Sequence, residues 1–245
     1  MFMTAIDTHI HSEGRSVEDL KFMAENGIKI AITCAFYPIR PSFPETLIDL
    51  ARKLTEFEPE RGEKAGMEIY SAVGIHPRCI PPRWDKVLGF IESYSGYVAI
   101  GEIGLEDGSD EEKEVLKAQL QLAKKLDVPA IIHTPRKNKD AILKKTLEIL
   151  DAVSFPEELA LIDHNSVETV KVVLEKRYWA GITVQPGKLT VDEAVKIIEE
   201  FGDERLIANS DTGFSESDML AVKKLYDACG NERVVRRNAE KFFKI

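Results

Sequence analysis

Short apolar, β-prone runs alternate with helical patterns along the whole chain, and this alternation restricts the fold more than any other feature. Extended runs are expected at Ala5–Ile10, Ile28–Cys34, Glu68–Val73, Val98–Glu102, Ala130–His133, Ala160–His164, Trp179–Val184 and Leu206–Asp211. Helix signals lie between them. Ser109 precedes an acidic first turn and the apolar set Val115, Leu116, Leu120, Leu122 and Leu126. Thr190-Val191-Asp192-Glu193 fits a capping box, in which the Thr and Glu side chains each satisfy a free backbone N–H. Leu143, Leu147 and Leu150 form an apolar stripe after the fifth strand. Eight strand–helix units in 245 residues imply parallel strands, right-handed crossovers and a closed (β/α)8 TIM barrel. No Pro/Gly/Ser-rich linker interrupts the series, so residues 1–245 are expected to form one domain.

A chain that is 44% hydrophobic can bury one large core. No run approaches the roughly 18 apolar residues of a membrane span, and Met1-Phe2-Met3-Thr4 lacks the charged and apolar regions of a signal peptide. Cys34, Cys79 and Cys229 are odd in number, far apart and without a CxxC pair. They read as reduced thiols of a cytoplasmic protein rather than a disulfide framework. The net charge of −9 should repel nucleic acid as a whole, so a phosphate-bearing substrate needs a local basic patch.

Barrels of this kind place their chemistry at the C-terminal ends of the strands. His9 and His11 end the first strand, two residues apart on one face, with Asp7 on the same face if the segment is extended. His76 follows the third strand, Glu102 ends the fourth, His133 the fifth, His164 the sixth and Asp211 the eighth. All five histidines of the chain therefore fall at expected strand ends. Singly, His133 reads as a core histidine, Glu102 as a lysine partner and Asp211 as a helix cap or turn former. Strand alternation sends Asp163 and His164 to opposite faces, and His164 is the one assigned to the mouth. Together, four histidines (His9, His11, His133, His164) and two carboxylates (Glu102, Asp211) exceed the ligands of one four-coordinate zinc and suit a two-metal site.

These residues carry a resemblance. Asp7-Thr8-His9-Ile10-His11, Gly74-Ile75-His76-Pro77, Gly101-Glu102-Ile103-Gly104-Leu105 and the terminal Asn238-Ala239-Glu240-Lys241-Phe242-Phe243 together resemble the TatD-related metal-dependent hydrolases of the amidohydrolase superfamily. The resemblance implies that His9 and His11 hold a first divalent ion with Asp211, that Glu102 bridges two ions, and that His133 and His164 hold the second. It places His76 near the substrate and leaves Asp7 one layer deeper as a support for the ligands. Three departures stand out. The family commonly has His-Cys-Phe after the sixth strand, where this chain has His164-Asn165 preceded by Asp163. It has Glu-Thr-Asp-Ala-Pro after the eighth, where this chain has Asn209-Ser210-Asp211-Thr212-Gly213. Glu106 stands where Asp is usual.

The expected activity is a metal-dependent hydrolase of the two-metal phosphoesterase or TatD-like deoxyribonuclease kind, acting on DNA ends or small phosphodiesters. Catalytic roles fall to Asp211, as orienter and proton shuttle for water, Glu102 and His76. Substrate contacts fall to His76, Arg136 and Lys137. Basic residues Arg15, Arg40, Arg78, Arg83, Lys139 and Lys188 also occupy loops on the active face, either facing substrate or pairing with neighbouring acids. Phe36, Tyr37 and Phe43 either stack on a base or seal the pocket. Two divalent ions are expected, with zinc, manganese, magnesium, iron and nickel not distinguished. The alternatives are hydrolysis of an amide, lactone or cyclic imide, or a non-catalytic metal-binding barrel.

Overall fold

The computed structural model describes residues 4–245. The alternation of short apolar runs with amphipathic stretches folds into eight parallel strands ordered as in the chain. They are β1 (Ala5–Ile10), β2 (Ile28–Cys34), β3 (Glu68–Val73), β4 (Ala99–Gly104), β5 (Ala130–His133), β6 (Ala160–Ile162), β7 (Trp179–Thr183) and β8 (Leu206–Asn209). A parallel bridge between Ile10 and Thr212 joins the two ends of the series. The His11 N–H donates to Thr212 O at 2.7 Å, and the Asp211 N–H donates to His9 O at 2.9 Å. The rim of the (β/α)8 barrel is thus stitched shut beside the candidate ligands.

Helices cover the outside. Asp110–Leu126 starts at Ser109, whose side chain accepts from Glu112 N–H, and Val191–Phe201 starts at the Thr190–Glu193 capping box. Their buried stripes, with Leu143, Leu147 and Leu150 of the helix Lys139–Val153, join the apolar layer outside the sheet.

The inside has a floor. Every strand contributes to it: Ile6, Ile32 with Cys34, Ala72, Ala99, Ile131, Leu161, Trp179 and Ile207. The helix Asn238–Phe243 closes it from below, with Phe242 5.5 Å from Trp179 ring to ring. Asn238 fastens this helix by donating from Nδ2 to Leu206 O at 2.7 Å. The terminal motif noted in the sequence therefore plugs the end of the barrel opposite the histidines.

Four strands differ from expectation in their bounds. β4 starts one residue later and continues past Glu102 to Gly104, and β7 stops at Thr183. β6 and β8 stop two residues before His164 and Asp211, both of which have left-handed φ values, 58° and 49°. A left-handed residue cannot extend a strand, because its backbone turns the chain out of the pleat.

Phe242 is buried beneath the floor. Phe242→Ala should lower the unfolding free energy by about 3 kcal/mol or more, the usual cost of an aromatic cavity, measured by urea denaturation.

Candidate metal centre

The rim carries every residue named as a ligand. Glu102, almost fully buried on β4, lies within reach of all five imidazoles. Its Oε1 is 2.7 Å from His133 Nδ1 and 3.0 Å from His164 Nε2. Its Oε2 is 3.3 Å from His9 Nε2, 3.7 Å from His76 Nε2 and 3.9 Å from His11 Nε2. Asp211 Oδ1 stands 3.2 Å from His11 Nε2 and 3.7 Å from His9 Nε2. Three triads of ligand atoms are close enough to share an ion: His9–His11–Asp211, His9–Glu102–His164 and His76–Glu102–His133.

For His9, His11 and His76 the partner of the outer nitrogen tells which nitrogen faces the site with a lone pair and which with a hydrogen. His11 Nδ1 lies 3.0 Å from Cys34 O, an acceptor only, so Nδ1 carries the hydrogen and Nε2 offers a lone pair. His9 Nδ1 lies 2.6 Å from Asp163 Oδ2, with the same consequence. The His9 Nε2 atom is buried, has no hydrogen-bond partner and faces two carboxylates. Flanked by anions, this nitrogen calls for a cation, either a proton or a metal ion, so these residues fit a divalent ion that takes the proton's place. His76 is the opposite case. Its Nδ1 accepts from the Arg78 N–H at 3.1 Å, which leaves the hydrogen on Nε2, directed into the pocket. Burial pushes this imidazole well below its ordinary pKa, so it is a neutral donor.

Charge is distributed unevenly. Burial opposes protonation of His9 and His133, but neighbouring groups outweigh it and raise both: Cys34, Glu102 and Asp163 for His9, Glu102 and Glu106 for His133. His164 is pushed down to about 4 by burial and by the Lys188 ammonium, 3.0 Å from its Nδ1. Lys188 also pairs with Asp211 Oδ2.

Several sequence expectations need correction. Asp7 does not support the imidazoles. Register slips on both sides of it in β1, and its carboxylate accepts from Ser210 Oγ at 2.6 Å and Ser210 N at 3.0 Å. Asp163 and His164 do not point to opposite faces, because the left-handed turn at His164 overrides alternation and brings both to the site. Lys139 does not face the pocket; it donates to Thr134 Oγ1 at 3.1 Å and to the His164 carbonyl. Of the two readings left open for the loop cations, Arg40 takes the second and pairs with Glu111 at 2.7 Å in an exposed bridge.

Sequence reading set Asp163 aside in favour of His164 and passed over Phe214; Lys188, named there as one of several loop cations, is the one that pairs with a candidate ligand, Asp211. Cys34 and Cys79 are buried, and burial pushes both thiols up to about 11, as suits packing residues.

Above the ligands opens a cavity of about 490 Å3. Arg78, Arg136, Lys137 and Lys188 line it beside Phe36 and Phe214. Gly213 closes tightly on the ligands, since a Cβ there would stand 2.5 Å from His11 Cβ.

An eight-stranded parallel barrel with this buried histidine and carboxylate set is a metal-dependent hydrolase. The TatD related DNase family model matches residues 6–241, and the chain belongs to that family. It is 39% identical to an uncharacterized metal-dependent hydrolase of Methanocaldococcus jannaschii, across 98% of this chain and 100% of the relative. The crystal structure of a TatD-like protein from Archaeoglobus fulgidus superposes with a TM-score of 0.88 at 48% identity, covering 98% of this chain and 100% of that one. A human deoxyribonuclease is 30% identical over 110 residues, 36% of this chain and 40% of its own. No helix among the described residues is long and apolar enough to cross a membrane.

A divalent ion taken up by His9 and His133 would have to displace protons, because the pKa values of both are raised. Apparent affinity for a divalent ion should therefore rise with pH through and above the ordinary histidine value of about 6.5. Calorimetric titrations in buffers of different ionisation enthalpy should record proton release. A pH-independent affinity would contradict the charge pattern above.

Proposed function

We propose that this chain is a two-metal phosphoesterase acting on phosphodiesters, with single-stranded DNA ends as the leading substrate class. The observation that carries the reading is the position of Glu102. Its two oxygens face separate imidazole groups, His133 and His164 on one side and His9 and His11 on the other. In this reading His9, His11, Glu102 and Asp211 hold one ion, and Glu102, His133 and His164 hold another. Bound ions supply positive charge that polarises a phosphoryl group and acidifies a water.

The remaining work falls to the chain. Asp211 orients the attacking water and takes its proton, and its Lys188 partner keeps the carboxylate ionised. Burial opposes that charge, yet Lys188 holds Asp211 well below the usual carboxylate range. His76 donates from Nε2 to a phosphoryl oxygen. Arg136 and Lys137 meet the substrate's negative charge where the rest of the acidic surface would repel it. Arg136 is held for this by donating from Nη2 to Gln185 Oε1 at 3.0 Å. Phe36 packs on His11 and His76, and half-exposed Phe214 offers a face for a base. The deoxyribonuclease description of the family and the name of the human relative support DNA over other phosphodiesters.

The test strips the protein with chelator, restores single divalent ions and assays a phosphodiester reporter and single-stranded DNA. Activity should return with metal, fall by about 100-fold or more in Asp211→Asn, as expected for losing a proton carrier, and vanish in His133→Ala. Full activity in Asp211→Asn would remove the proton role. Metal binding without turnover of either substrate would redirect the reading to amides and lactones. Arg136→Ala should raise KM by about 10-fold with little change in kcat, the signature of lost uniform binding.

A further inference from the structure

We propose that Asp163 is a positioning residue for His9, and that this chain carries just beyond β6 a carboxylate that the family pattern places at the end of β8. The inference rests on the reading of His9 as a metal ligand.

Asp163 has no exposed surface. Its Oδ2 takes the His9 Nδ1 hydrogen at 2.6 Å. Its Oδ1 accepts from Asn209 Nδ2 at 2.8 Å, the His164 N–H at 2.8 Å and Thr183 Oγ1 at 3.3 Å. Four donors from β1, β7 and the ends of β6 and β8 thus satisfy one buried carboxylate, which is what keeps it charged away from water. The chain also makes room for it: a Cβ on Gly181 of β7 would stand 2.0 Å from Asp163 Oδ1. A side chain housed in this way does more than terminate a strand. It fixes one His9 hydrogen on Nδ1, leaves Nε2 as the nitrogen that faces Glu102 and Asp211, and adds negative charge that makes the imidazole a better donor.

Two of the motif departures lie beside this carboxylate: Asp163 immediately precedes His164-Asn165, and Asn209 belongs to the motif at the end of β8. Asn209 occupies the place of the family's Glu after the eighth strand, and its Nδ2 points at Asp163 Oδ1. A Glu at 209 starts from the same Cβ and is one methylene longer, enough to bring a carboxylate towards His9 Nδ1. Both acids cannot occupy the pocket as anions, because like charges at this distance in a buried site repel. An acid at 163 therefore requires a neutral donor at 209, and Asn209 is that donor. The two substitutions are one exchange.

The experiment compares wild type, Asp163→Ala, Asn209→Glu and the double variant by two readouts that do not use hydrolysis. Proton NMR of chelator-treated protein follows the His9 Nδ1–H resonance, which a carboxylate partner shifts far downfield. Competition with a chromophoric chelator measures Zn2+ affinity. Asp163→Ala should lose the downfield resonance and bind Zn2+ about 10- to 100-fold more weakly, as when other partners of ligating histidines are removed. Asp163→Ala/Asn209→Glu should recover both, while Asn209→Glu alone should be worse than wild type. Should Asp163→Ala fail to fold, Asp163→Asn keeps the volume and should still lose the downfield position. The proposal is overturned by an Asp163 variant that keeps both resonance and affinity, or by a double variant no better than the single. Failure of wild type to cleave phosphodiesters would sink the functional reading and leave this one standing.

Discussion

One buried carboxylate lies within 4 Å of every imidazole the chain possesses. Glu102 would be costly there without them, since an anion removed from water needs paired charge or several hydrogen bonds. Burial opposes its ionisation, and the surrounding histidines reverse the balance and hold its pKa well below the usual range. The histidines depend on it in turn: His133 lies between Glu102 and Glu106, and His164 Nε2 points at the same Oε1 that His133 contacts. Because the five imidazoles sit on or just beyond β1, β3, β5 and β6, and Glu102 is on β4, only a closed ring of strands brings them together.

That ring is finished by the residues it serves. His9 O and the His11 N–H form main-chain bonds across the seam between β1 and the β8 exit, while their imidazoles face inward. Asp7 reinforces the same seam through Ser210. The seam and the metal centre are thus built from one stretch of chain, with alternate groups assigned to closure and to chemistry. Beneath them the floor ending at Phe242 and Phe243 keeps the lower barrel dry, which strengthens every electrostatic interaction above it.

The mouth has the opposite sign from the body. A chain of net charge −9 gathers Arg78, Arg136, Lys137 and Lys188 around one cavity. Arg78 also lies over the Phe36 ring at 4.9 Å, so one side chain joins the aromatic and the cationic walls. Such a field favours an anionic substrate at one place while the remaining surface repels it.

The amino-acid sequence by itself determined the barrel, the strand positions to within two residues, and the set of histidines and carboxylates at the rim. Those follow from local rules: side chains alternate along a strand, helices announce their caps, and parallel strands need crossovers. It did not determine what lies beyond the last paired residue. After Ile162 and Asn209 the backbone turns left-handed at His164 and Asp211, and alternation no longer says where a side chain points. Asp163 was therefore assigned to the wrong face; Asp7, inside β1, was given the wrong partner, and Lys139 was left between substrate and neighbouring acids. The partners that decide these cases, His9 for Asp163, Ser210 for Asp7 and the His164 carbonyl for Lys139, come from other strands. Only closure of the barrel brings them within bonding distance.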